Sequence, residues 1–304
     1  MTAVPANIVR RQVNIDFASA KSSGWHARRS DAEVFFNLIS YTFPVGEKFF
    51  IQAVKRHQDR ITDPLLQRQV EDFIYQETMH AKEHLRCNLV LDRSCSYGPK
   101  VARLATALLK VSRRIYPKST QLALSCAIEH FTSTFADHLL RRQRAFIAAA
   151  DPPFAALWLW HAVEETEHKA VCLDLYRHVV GRGPVAYLHR VAVMVLATLI
   201  FLAIMLVGTL WARPRTGGAR RGAGSAPSPG PGSREDKPAR EFSLSGVLTE
   251  LVHLKLYLDY YRPGFEPWDH DNRHLIEEWK ERFKGFGDRA AAAAAATARE
   301  REMA

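Results

Sequence analysis

Two Glu-x-x-His motifs, Glu77-Thr-Met-His80 and Glu165-Thr-Glu-His168, stand in separate helix-like stretches of a 304-residue chain. A lone glutamate precedes each, Glu47 before the first and Glu129 before the second. Residues three apart on a helix share a face, so each motif offers one carboxylate and one imidazole to a common centre. The lone glutamates add a carboxylate from each of two further helices. Glu followed by Glu-x-x-His, repeated once, is the ligand order of carboxylate-bridged dinuclear metal sites in four-helix bundles. Oxygen and nitrogen donors without thiolate suit iron or manganese, and zinc less specifically. The expected cofactor is therefore two metal ions, iron first, with manganese or zinc as alternatives.

His161 lies four residues before Glu165 and seven before His168, on the same helical face, and is taken as a seventh ligand. His84 is the mirror case, four after His80, with ligand and bystander roles both open. Glu83, Glu164 and Glu167 flank the ligand faces and are expected to point to solvent or into salt bridges. His130 should point away from the site, and His138 to support it from a distance. Cys172 is placed along the pocket. Tyr41, Tyr75, Trp158 and Trp160 are read as packing residues. Glu47 and Glu129 sit among apolar neighbours, Phe49-Phe50-Ile51 and Ala127-Ile128. Carboxylates buried there need compensating charge, which a metal pair provides.

The elements that must hold these residues are helical. Residues 30–58 carry a capping-box pattern, Ser30 with Glu33, and apolar residues at helical spacing, with a kink expected at Pro44. Asp63-Pro64 opens a second helix running to about Leu91. A shorter amphipathic stretch covers 99–115. Ser119 opens a third long helix to about Ala148, and Asp151-Pro152 a fourth running to Val180 and stopped by Gly181. From Val191 to Trp211 the chain runs without a charge, about 30 Å of helix and enough to cross a bilayer. A shallow placement of that helix, or a hairpin with another apolar segment, is the alternative. The fold class expected is all-α: a ferritin-like four-helix bundle with a dinuclear metal site, one transmembrane helix and a small helical C-terminal segment. The corresponding divisions are an N-terminal arm (1–29), the metal-binding helical domain (30–190), the transmembrane helix (191–211), a basic Gly/Pro/Ser-rich linker (212–241), a helical segment (242–288) and an Ala-rich tail (289–304).

Composition limits the function classes. With 47% hydrophobic and 24% charged residues the chain can bury a sizeable core. The formal net charge of +10 suggests nucleic acid until it is located. Half of it lies between Arg213 and Arg240, in a stretch rich in Gly, Pro and Ser beside the apolar helix. Such a segment suits anionic lipid, and no nucleic-acid motif is visible. The four cysteines show no C-x-x-C spacing, and the first thirty residues carry no signal-peptide pattern. The expectation is a membrane-associated protein, at the inner or cytoplasmic membrane, with its metal domain in the cytosol.

The segments Gly46-Glu47-Lys48-Phe49-Phe50, Gln76-Glu77-Thr78-Met79-His80-Ala81, Trp160 through Lys169, and Tyr261-Arg262-Pro263-Gly264-Phe265 resemble a bacterial family described as predicted metal-dependent hydrolases. The likeness covers roughly residues 30–285. His is usual in that family where this chain has Glu266, so no role is carried over to that position. His161-x-x-x-Glu165-x-x-His168 is also similar to the di-iron arylamine N-oxygenases, a likeness that implies a ligand role for His161 and activation of dioxygen. Fold-level likeness does not license a reaction. The expected function is a dinuclear-metal oxidase or oxygenase acting on a small or lipid-like organic substrate. Hydrolysis by a metal-bridging water is the alternative, and non-catalytic metal binding or storage the third reading. The partners expected are a small-molecule substrate, membrane lipid, an electron donor if dioxygen is used, and a second copy in a homodimer.

Overall fold

A computed structural model describes residues 7–27, 30–213 and 253–283. The chain is all-helical, and among the described residues the only β pairing is an isolated bridge between His26 and Ala150. The helices are α1 (Ser30–Lys55), α2 (Pro64–Leu91), α3 (Gly98–Ile115), α4 (Lys118–Arg141), α5 (Gln143–Ala149), α6 (Pro152–His168), α7 (Val171–Val179), α8 (Pro184–Ala212), α9 (residues 253–259) and α10 (Arg273–Arg282). The basic linker, the first part of the 242–288 segment and the Ala-rich tail lie outside the described residues.

Local chemistry explains most of the boundaries. The Asp63 carboxylate accepts the Leu65 N–H at 2.8 Å while Pro64 occupies the first turn, where its missing N–H would have had no partner. Pro44 sits within α1 without ending it. Gly181, at φ +111°, takes the left-handed conformation that closes the turn after α7.

Two helices differ from the sequence reading. The third long helix stops at Arg141, and α5 follows as a separate turn. The fourth, expected to be continuous to Val180, breaks at Lys169-Ala170, directly after the last ligand candidate. There the Lys169 ammonium is buried against the C-terminal segment. It donates to the His270 carbonyl at 2.7 Å and to Asn272 Oδ1 at 2.8 Å, 3.9 Å from the Trp268 ring centre. A tertiary capture of this kind overrides helix propensity, which is only a weak prior.

Helices α1, α2, α4 and α6 pack around the interior, α1 against α2 and α4, and α6 against α2 and α4. One apolar cluster gathers Trp25, Phe36, Trp158 and Trp160, and the other Phe49, Phe73, Leu122 and Tyr176. The arm adds to the first in extended form: Val13, Ile15 and Phe17 are buried, while Asn14 and Asp16 between them are exposed, the period-two pattern of one covered face.

Helix α8 is long and apolar enough to cross a membrane. It does not stand apart from the bundle but packs along α4, α1 and α3. Small residues make the closest approaches. Ala197 is 3% exposed, and a Cβ on Gly208 would overlap the Leu38 side chain and crowd Val101. The opposite side presents Leu199, Leu202, Leu206 and Leu210 to the surroundings.

Candidate metal centre

All seven expected ligands converge. Glu47 comes from α1, Glu77 and His80 from α2, Glu129 from α4, and His161, Glu165 and His168 from α6, and each is at most 3% exposed. Donor atoms of Glu47, Glu77 and His80 lie within 4.8 Å of one another, as do those of Glu77, Glu129 and His168, and those of His80, His161 and Glu165. Glu77 Oε1 stands 3.5 Å from His80 Nδ1 and 3.3 Å from His168 Nε2. Glu165 Oε1 is 3.7 Å and 3.6 Å from the same two nitrogens. The two motif glutamates therefore occupy bridging positions between two donor sets. Glu47 and Glu129 stand at opposite ends.

Most of the donor atoms that face this interior make no hydrogen bond. Both oxygens of Glu47 and of Glu77, one each of Glu129 and Glu165, His80 Nδ1 and His168 Nε2 are buried without a hydrogen bond. Each such atom costs about 1–3 kcal/mol if nothing answers it. The outward nitrogens of the same histidines are bonded, His80 Nε2 to Glu164 Oε2 at 3.1 Å and His168 Nδ1 to Gln76 Oε1 at 2.8 Å. That division, inner atom free and outer atom held, is how metal-binding histidines are oriented.

His161 gives a second test of fit. Ser40 donates its hydroxyl to Asn88 Oδ1 at 2.7 Å, the amide being oriented by its own donation to the Ser40 carbonyl. Ser40 Oγ then accepts from His84 Nδ1 at 2.9 Å, and His84 Nε2 accepts from His161 Nδ1 at 2.8 Å. The proton assignment follows from this chain. It leaves the His161 Nε2 lone pair facing Glu165 Oε1 at 2.9 Å. Two acceptors at that distance need a cation between or beside them, and a metal ion fits. His84 is close enough to Glu47 and His161 to join the cluster, but both its nitrogens are engaged in the chain.

Outside the ligands lies a closed polar ring that the sequence reading did not contain. The Arg11 guanidinium donates to Glu164 at 3.0 Å and clamps Glu167 through both amino groups at 2.9 and 2.6 Å. Gln76 donates to Glu167 at 2.9 Å and accepts from His168. Thus Glu164, Arg11, Glu167 and Gln76 link the outer edges of His80 and His168. Glu164 and Glu167 do form salt bridges, as one of the two expectations had it, but they are buried rather than solvent-facing. Glu83 is buried as well, paired with Arg86 at 2.7 Å and accepting the Ile15 N–H at 3.1 Å. Trp158 and Trp160 do more than pack: Trp160 meets the His80 ring edge-on at 4.9 Å, and Trp158 stands 5.1 Å from His84. His130 turns away to the Leu256 carbonyl, Tyr41 bonds Asp92, and Glu266 pairs with Arg177 and Arg182.

Electrostatics in the cluster follow from crowding four carboxylates. Burial, with Glu77, Glu165 and Glu129 nearby, pushes Glu47 well above the usual carboxylate range. Burial and the charges of Glu165 and Glu77 lift Glu129 to about 8. Burial would raise Glu165 too, but the positive charge of His168 holds it low. Burial lowers an imidazole, yet Glu164 and Glu77 raise His80 to about 10, whereas burial and the His80 charge lower His161 to about 3. Metal must displace the Glu129 proton below about pH 8 and the His80 proton below about pH 10, so affinity should climb with pH across that range, by about tenfold per unit for each proton displaced. Calorimetric titration in two buffers of different ionisation enthalpy measures this directly. Equal heats in both buffers, with affinity flat across pH, would contradict it.

No curated protein and no solved structure matched the chain. A family profile does match, over residues 9–271, and that range takes in Arg11, every expected ligand, and Trp268 and His270 beside Lys169. With buried His and Glu clusters able to hold metal across that range, the chain belongs to the family described as predicted metal-dependent hydrolases.

Proposed function

We propose that this chain is a membrane-associated dinuclear-metal enzyme that uses dioxygen to oxidise an apolar organic substrate. The observation that carries the metal reading is the set of inward donor atoms without partners on Glu47, Glu77, His80, Glu129, Glu165 and His168. A four-carboxylate, three-imidazole set without thiolate favours iron, and a reduced iron pair supplies dioxygen activation. Glu47, Glu77, His80, Glu129, His161, Glu165 and His168 would hold the two ions. Phe43, Trp158 and Trp160 pack against the imidazoles and keep bulk water out. An electron donor from outside the chain is then required. The length of helix α8 and its exposed leucines support a membrane location, and the metal domain is proposed to lie on the cytosolic side.

Hydrolysis is the second reading, favoured by the family's description. Two metals about 3.5–4 Å apart can activate a bridging water and clamp a leaving oxygen. The two readings separate in one experiment. Protein loaded anaerobically with ferrous iron should consume dioxygen rapidly on mixing, and His161→Ala should slow that uptake at least about tenfold. No oxygen consumption, together with turnover of ester or phosphoester probes by the zinc or manganese form, would establish hydrolysis instead.

A further inference from the structure

A cavity of about 490 Å³ is lined by α1, α3, α4 and α8. Its volume falls within the roughly 300–1,000 Å³ of small-molecule sites. Its wall on α1 runs from Phe35 to Phe50, roughly 22 Å at about 1.5 Å per residue. That is longer than the roughly 15 Å occupied by the chains of one bilayer leaflet, and far longer than a compact aromatic ligand needs.

The cavity borders the metal ligands directly. Phe43, in its wall, stacks on His161 with ring centres 4.5 Å apart. Gly46, also in the wall, immediately precedes Glu47, while Ile128 and Thr132 straddle Glu129. Gly46 is the one gap in an α1 stripe otherwise made of Phe35, Ile39, Thr42, Phe43 and Phe50. A Cβ there would meet only Phe50, at an ordinary 3.7 Å. Nothing in the packing demands glycine, and its effect is to leave space beside Glu47.

Helix α8 joins the cavity to the apolar exterior. Between its close contacts at Ala197 and Gly208, α8 contributes Ile200, Phe201 and Ile204 to the cavity, while Leu199, Leu202 and Leu206 face outward on the same two turns. An exposed leucine stripe of this kind marks a hydrocarbon-facing surface. The space beneath α8 is therefore one helix away from lipid.

We infer that this cavity binds a single long-chain acyl compound taken from the membrane, laid along α1 with part of the chain beside Glu47 and His161. The inference rests on the metal-centre reading for its catalytic meaning, but chain binding does not depend on metal. The test uses full-length protein in detergent, metal-free and metal-loaded, with cis-parinaric acid as the fluorescent chain and saturated fatty acids of increasing length as competitors. Saturable binding is expected in both forms. Competitor affinity should rise by about four-fold per methylene and level off once the cavity is filled. Gly46→Leu and Ile204→Trp, checked for helicity and retained metal content, should each weaken chain binding at least ten-fold. A spin label near the chain's methyl end and another near its carboxyl end should be broadened unequally by Mn²⁺ in the centre. No saturable binding, or binding unchanged in both folded variants, overturns the inference and leaves the metal reading intact. Chain binding with no metal uptake would instead overturn the metal reading.

Discussion

Glu77→Gln is expected to raise the thermal stability of the metal-free protein while removing most of the stabilisation that metal confers. Without metal, Glu47, Glu77, Glu129 and Glu165 share one buried volume, and burial with mutual repulsion pushes three of the four toward protonation. Burying such charge without a partner is unfavourable. An amide of the same shape relieves the repulsion but cannot bridge two cations. With metal at about a thousand times its dissociation constant, each ion stabilises the native state by about 4 kcal/mol. A gain of that size moves the melting temperature by roughly 10 °C in a domain of this class, and the Glu77→Gln protein should lose most of it. The same groups set the pH behaviour of the metal-free form. Glu129, raised to about 8, and His80, raised to about 10, hold more protons folded than unfolded. Stability they contribute is lost as pH rises, and from pH 6.5 to 8 both act in that direction. His161, lowered to about 3, acts oppositely but only below pH 6.5. Thermal scans of metal-free and metal-loaded protein at pH 6.5 and 8 measure the difference. A Glu77→Gln protein that is less stable than the parent without metal, yet equally stabilised by metal, would refute the bridging assignment.

The second large effect is expected at a residue that touches no ligand. Arg11→Met removes the cation from a buried arrangement in which Glu164 is fully buried and Glu167 nearly so. Breaking one partner of a buried pair costs about 3–5 kcal/mol, because the remaining charge has nowhere to go. Glu164 would then no longer be fixed against His80, nor Glu167 against Gln76 and so His168. Disturbing partners of this kind lowers metal affinity by about 10–100-fold. Arg11→Lys keeps the charge but not the two-pronged contact with Glu167, so it should fall between. Adding Glu167→Gln to Arg11→Met should restore part of the stability by removing one orphaned charge, without restoring affinity. Chelator competition and denaturant unfolding separate the two quantities. An Arg11→Met protein with unchanged metal affinity would show that the ring is structural only.

These two predictions mark where the sequence was readable and where it was not. The convergence of the expected ligands was legible because spacing sets which side chains meet: Glu77 with His80, and Glu165 with His168, lie three apart and so share a helical face. The start of α2 was equally legible, since Asp63 and Pro64 act on their own neighbours. Arg11 carried no local signal. Its partners lie more than 150 residues away, and an arginine in an extended arm reads as a solvated charge. The break after His168 was hidden for the same reason, being tied to Lys169 contacts about a hundred residues downstream. His84 shared a helical face with His80, but only Ser40 and Asn88 decide which way its protons point. Helix α8 was recognisable from composition alone. That it lies along the bundle and roofs a cavity depended on Ala197 and Gly208, two small residues that are unremarkable until the packing is seen.

The most direct test of the metal centre is elemental analysis of the purified full-length protein beside Glu77→Ala and Glu165→Ala. Two metal ions per chain are expected in the parent, with iron bound in preference to zinc when both are supplied, and both variants should fall below one. Full metal content in both variants would contradict the assignment of Glu77 and Glu165 as the bridging ligands, and with it the dinuclear centre.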